Sequence, residues 1–128
     1  MTIAPAAGMS QGAVGYGVVI NALSDPNAST LDAATRDLVY GLQQSNPGLR
    51  ASGNIASIRV NGSEGRSVEM QGNSPVQQNG KPARERDWLI TLPSQRGGVL
   101  YLVFIAPENT FAKLEPTFKK MLDSVELR

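Results

Sequence analysis

Val99-Leu100-Tyr101-Leu102-Val103-Phe104-Ile105 is apolar at every position, and no other stretch leaves the chain so few folds. Strand side chains alternate between faces, so Leu100, Leu102 and Phe104 line one side and Tyr101, Val103 and Ile105 the other. A strand apolar on both sides belongs in the middle of a sheet with a layer on each face. The run is too short for the membrane: it spans about eight residues to Ala106, where a spanning helix needs about twenty.

The neighbouring sequence supplies the layers. Trp88-Leu89-Ile90-Thr91-Leu92 and the apolar run flank Pro93 to Gly98, which predicts a hairpin with its turn at the glycines. Phe111, Leu114, Phe118, Met121, Leu122 and Val125 recur at helical spacing, so a terminal helix should dock one stripe on the sheet. Pro116 lacks an N–H and disfavours helical geometry at Glu115, which predicts a short turn over 111–114 and a main helix starting at Pro116. Leu31, Ala34, Leu38 and Leu42 predict a second helix, capped by Ser29 or Thr30 and stopped by Asn46-Pro47-Gly48.

Between the helices the pattern has period two. Ala56, Ile58 and Val60, then Val68 and Met70, alternate with polar residues and predict two half-buried antiparallel strands. Asn61-Gly62 is a turn signal between them, within an expected loop from Asn61 to Gly65. Gly72 to Pro82 has almost no apolar residue and predicts an exposed loop. Tyr16 to Ile20 reads as a strand, pairing with Ile3 to Met9 in an N-terminal hairpin. The expected fold is α+β: a central twisted antiparallel sheet flanked by helices on both faces. Residues 1–12 form an N-terminal strand or boundary segment and 13–128 a single domain, a size that supports one core.

The residue inventory excludes much chemistry. The chain has neither cysteine nor histidine, which removes thiolate nucleophiles and thiolate or imidazole metal ligands; no catalytic residue, metal ligand or cofactor is expected. A serine site would need a lysine base, and nothing places a serine beside Lys81. Twelve basic and eleven acidic residues nearly cancel and the basic ones form no stripe, so no nucleic-acid partner is expected, nor any membrane insertion by this segment. Gly12-x-x-Gly15-x-Gly17 leads into a strand rather than a helix, which argues for close packing over a phosphate loop. Asn27-Ala28-Ser29 and Asn61-Gly62-Ser63 fit the glycosylation pattern, but they are already explained as turns and a cap.

The segment Glu85-Arg86-Asp87-Trp88-Leu89-Ile90-Thr91-Leu92-Pro93, the strand from Leu100 to Glu108 and the ending Phe111-x-x-Leu114-x-Pro116-x-Phe118-x-x-Met121-Leu122-x-Ser124-Val125 carry a resemblance. They resemble the C-terminal domain that follows the catalytic domain in bacterial HExxH, CAAX-endopeptidase-like zinc metallopeptidases, and the ending is similar to PsbP- and Mog-type proteins. The resemblance implies a PsbP/Mog-like α/β/α sandwich and a non-catalytic accessory, docking or regulatory role. Its partner would be another protein or the catalytic domain of the same chain. It also implies an extracytoplasmic place, periplasmic or membrane-tethered through a parent chain. A free-standing PsbP/Mog-like binding module is the alternative, and a small carboxylate enzyme the third.

Arg84-Glu85-Arg86-Asp87 alternates in sign directly before Trp88 and is the candidate interaction patch. Two readings compete: cross-strand ion pairs at a sheet edge, or a polar contact surface in which arginine and tryptophan favour an interface. Glu64, Glu69, Glu85 and Asp87 are the carboxylates available to an acid–base pair, and as polar residues of strand faces and turns they are expected to be solvated charges instead. Trp88, Tyr101, Phe104, Phe111 and Phe118 fall on the apolar periodicities and are assigned to the core.

Overall fold

The computed structural model describes residues 2–3, 9–10, 13–14, 17–23, 30–78, 81–94 and 98–125. Along them run β1 (Thr2–Ile3), β2 (Met9–Ser10), β3 (Ala13–Val14), β4 (Gly17–Leu23), α1 (Leu31–Ser45) and β5 (Arg50–Ala51). Then come β6 (Ala56–Val60), β7 (Ser63–Gln78), β8 (Lys81–Pro93), β9 (Val99–Pro107) and α2 (Glu108–Asp123). Seven strands form one antiparallel sheet in the order β1-β4-β9-β8-β7-β5, with β6 also paired to β7, while β2 and β3 pair separately.

The doubly apolar run is an interior strand, with β4 on one side and β8 on the other. Its two rows of side chains enter two cores. On one face Leu102, Phe104 and Ala106 pack with Val18, Val60, Ile90 and Leu92 under Phe111, Phe118 and Leu122 of α2. On the other, Val103 and Ile105 pack with Val68, Met70, Leu89 and Leu49 under Leu38 of α1. The sheet is therefore flanked by one helix on each face. Phe104 is fully buried, its ring 5.3 Å from Trp88 and 5.0 Å from Phe118. Such ring pairs add about 0.5–1.5 kcal/mol each beyond the area they bury. Trp88 and Tyr101 are only partly buried, and the Trp88 indole N–H donates to Ser67 Oγ at 2.9 Å.

Local signals set the ends of α1. Thr30 rather than Ser29 is the N-cap, its Oγ1 accepting from the Ala33 N–H at 3.1 Å, and Ser29 lies outside the described residues. Asn46 closes the other end, its backbone N–H and its Nδ2 both donating to the Leu42 carbonyl at 2.9 Å.

Several expectations are overturned. The β6–β7 connection is the two-residue turn Asn61-Gly62, not a loop reaching Gly65, because φ is +49° at Asn61 and +83° at Gly62. Positive φ at both central residues matches the twist of a tight hairpin, so pairing starts at once with Val60 opposite Ser63. The predicted loop from Gly72 to Pro82 is strand over its described residues: β7 runs to Gln78, β8 starts at Lys81, and the register shifts between Asn73 and Gln77. Backbone pairing carries the hairpin where no apolar alternation marks it.

The terminal helix is continuous from Glu108 through Pro116 to Asp123. Phe111 in the first half and Phe118 and Leu122 in the second are buried in the same core. That continuous stripe outweighs the amide hydrogen bond that proline forgoes. Of the expected pairing of Tyr16 to Ile20 with Ile3 to Met9, residues 4–8 and Tyr16 lie outside the described residues; Thr2 and Ile3 pair with β4, opposite Val19 and Val18, and Met9 and Ser10 pair with Val14 and Ala13. Gly12 and Gly15 lie outside the described residues, as do residues 27–29; Gly17 is buried in β4 opposite Ile105.

Candidate functional site

β8 is the third strand in from β5, so Arg84, Glu85, Arg86 and Asp87 occupy the sheet interior and not an edge. Strand alternation then divides the four. Arg84 and Arg86 share the α2 face with Trp88. Glu85 and Asp87 share the α1 face with Leu89 and Thr91. On the α2 face the arginines tie elements together: Arg84 Nε lies 3.9 Å from Glu108 Oε2 at the start of α2. Arg86 donates to Glu69 Oε1 at 2.9 Å, and its guanidinium lies 4.8 Å from the centre of the Phe111 ring.

Glu85 and Asp87 are buried, at 8% and 6% exposure. Their cross-strand neighbours are Gly72 and Pro107 for Glu85, and Met70 and Ile105 for Asp87; none carries a charge. Leu49 packs against Gly72, closing the space beside Glu85. No basic side chain pairs with either carboxyl among the described residues. Burial pushes the Glu85 carboxyl up to about 10, helped by its hydrogen bond with Asp87 and by the charge there. Burial also raises Asp87, and the hydrogen bond with Glu85 opposes that rise. At neutral pH the pair therefore holds a proton, and Asp87 Oδ1 is left buried without a hydrogen-bond partner. A protonated carboxyl beside a second one is the arrangement of acid–base dyads, but a dyad works only where substrate reaches it.

A second site is accessible. β7 is paired along one edge first by β6 and then by β5, and residues 52–55 between those two short strands leave the edge. The Ser52 N–H returns to the Glu69 carbonyl at 2.8 Å, which anchors the break. Beside it α1 presents Arg36, Tyr40 and Gln43, spaced by four and three residues along one side of the helix. Together with Asn54 and Ile55, and with Val68 of β7, they line a cleft of about 410 Å³. Tyr40 is 65% exposed and is the exposed large hydrophobic residue among the described ones. It lies off the Leu38 stripe that holds the helix down, so core packing does not account for it.

The sequence reading missed this cleft. Tyr40 was its one signal, an aromatic residue out of phase with Leu31, Ala34, Leu38 and Leu42. Glu85 and Asp87, expected as solvated carboxylates, are buried instead. Their phase with Leu89 was the sign that they face inward.

Fold and sites together define an α+β domain with a closed two-faced core, a buried acid pair and, among the described residues, an accessible cleft. No family model matches the sequence, and no curated protein matches it. Among solved structures the chain is similar to PA94 from Pseudomonas aeruginosa, a protein of unknown function described as a candidate regulator. The two share 12% identity at a TM-score of 0.61, over 94% of this chain and 89% of that one. Such a likeness speaks to fold.

Proposed function

We propose that this chain is a non-catalytic docking or regulatory domain that engages a protein partner, or the catalytic domain of its own parent, through the cleft between α1 and residues 52–55. The observation that carries the reading is Tyr40, an aromatic side chain exposed at the mouth of a cleft that also holds Arg36. Tyrosine and arginine are enriched where interfaces draw their energy. The sequence resemblance supports a place beside a bacterial zinc metallopeptidase, with a PsbP/Mog-like fold and an extracytoplasmic location. The description of PA94 as a candidate regulator is compatible with a binding role.

The test is a photoreactive amino acid placed at position 40 in cells, followed by binding measurements with the purified cross-linked protein. Tyr40→Asp should weaken that binding at least about tenfold, the scale of a modest hot spot. Unchanged affinity rejects the cleft as the docking surface, and stoichiometric tightly bound zinc in the isolated domain rejects the accessory role. A free-standing module would show a start codon and ribosome site at Met1, whereas a metallopeptidase parent would show an HExxH segment upstream in frame.

The acid pair supports a second reading, a small carboxylate-based enzyme, through its retained proton alone. A hydrolytic activity abolished by both Glu85→Gln and Asp87→Asn would establish it. Activity indifferent to either change would dismiss it.

A further inference from the structure

We propose that the occupant of the cleft is an extended peptide segment bearing a carboxylate, held through that group by Arg36. This rests on the docking reading above and names the chemistry of the partner.

Charge comes first. Arg36 is the one charged residue of the lining, and none of the ion pairs among the described residues includes it. Asp32, one turn before Arg36 on α1, accepts from Arg66 Nε, and Glu64 lies 3.2 Å from the same guanidinium. A carboxylate entering the cleft therefore meets a cation with no competing anion in the lining. The Tyr40 hydroxyl and the Gln43 and Asn54 amides add neutral donors to the guanidinium, a set suited to an acceptor-only group.

Shape argues for a peptide in extended form. The cleft's apolar part, Ile55 and Val68, is continuous with the core cluster under α1, so it suits an aliphatic side chain beside the acid. In an extended chain, residues two apart point the same way about 6–7 Å apart, which delivers an acid and an aliphatic group together. Backbone recognition is also at hand. β6 begins at Ala56, next to Ile55, and pairs with β7 along one edge only among the described residues. A segment leaving the cleft along β6 meets unpaired backbone groups, as in strand addition. Arg59 stands exposed on that strand, its guanidinium donating to the Gly62 carbonyl at 3.0 Å, and supplies a second positive charge along the path.

The experiment titrates the isotope-labelled chain with three blocked pentapeptides that differ only at the centre: valine and threonine, then glutamate, glutamine or lysine, then threonine and valine. The glutamate peptide should shift amides of residues 36–43 and 53–57 and bind about tenfold tighter than the glutamine peptide, as a charge-assisted hydrogen bond allows. Arg36→Gln should erase that preference with the rest of the spectrum unchanged, and Tyr40→Ala should weaken both peptides alike. Equal binding of the glutamate and glutamine peptides, or preference for lysine, overturns the carboxylate assignment while the cleft remains a docking surface. Absence of shifts in those two segments into the millimolar range overturns the extended-peptide occupant; the cross-link at position 40 then still decides the docking reading on its own.

Discussion

Thr35 of α1 and Thr91 of β8 hold their hydroxyl oxygens 2.7 Å apart at full burial, a polar bond in the seam where helix meets sheet. The direction of that bond follows from a second one. Thr35 Oγ1 lies 2.7 Å from the Leu31 carbonyl, which accepts its proton, so Thr91 donates to Thr35. Replacing Thr91 with valine leaves the Thr35 oxygen without a donor and should cost about 1–3 kcal/mol. The double change Thr35→Val with Thr91→Val should cost less than the sum of the single changes. Urea denaturation of the four proteins checks this as a double-mutant cycle.

The acid pair makes stability depend on pH in a defined direction. Glu85 has its folded value raised from 4.5 to about 10, so between those limits the folded chain binds more protons than the unfolded one. Stability is then fully present below about 4.5 and falls as pH rises toward 10. Asp87, raised by burial, acts in the same sense. Thermal unfolding across pH should show a melting temperature that declines on the alkaline side, and Glu85→Gln should flatten that decline. A wild-type profile rising from pH 5 to pH 9 would contradict it.

Pro116 sits inside α2 with a helical turn before and after it. An interior proline forfeits a hydrogen bond and costs roughly 3 kcal/mol in an isolated helix, of which the restricted unfolded chain returns a part. Pro116→Ala should therefore stabilise the domain by about 1–2 kcal/mol, read from the denaturation midpoint. Destabilisation would mean that the proline ring is itself needed in the packing.

Gly65 lies opposite Ile58 in the β6–β7 ladder with no room for a side chain. A Cβ there would stand 2.5 Å from the Thr91 carbonyl oxygen and 2.7 Å from Leu92 Cδ2. Gly65→Ala forces backbone apart and should cost about 1–3 kcal/mol. Gly53→Ala, where nothing lies within 4 Å, is the control and should leave stability nearly unchanged.

Residues whose neighbours along the chain already declare their surroundings were legible in the sequence. Phe104 and Val103 announced two covered faces, and Leu38 and Phe118 announced the helices that cover them. Met70 and Val68 marked their strand by alternation. Asn73 could not, because beyond the core a strand is held by backbone pairing alone and needs no apolar pattern. Glu85 and Asp87 were placed outside because carboxyls rarely enter a core. Their two-residue phase with Leu89 and Thr91 carried the correct answer against that habit. The cleft depends on how residues 52–55 leave β7 beside Tyr40, a relationship between segments distant in sequence with no local signature.

The strand order carries a consequence for how the chain assembles. β6, β7, β8 and β9 each pair with a sequence neighbour, so this meander can zip from turn to turn with little entropy lost in closing loops. β4 joins the same sheet from the far end of the chain, bringing Val18 to Phe104. That junction demands the largest loop closure and should form last during folding and reopen first. Native-state hydrogen exchange should find the amides of β4 unprotected before those of β8.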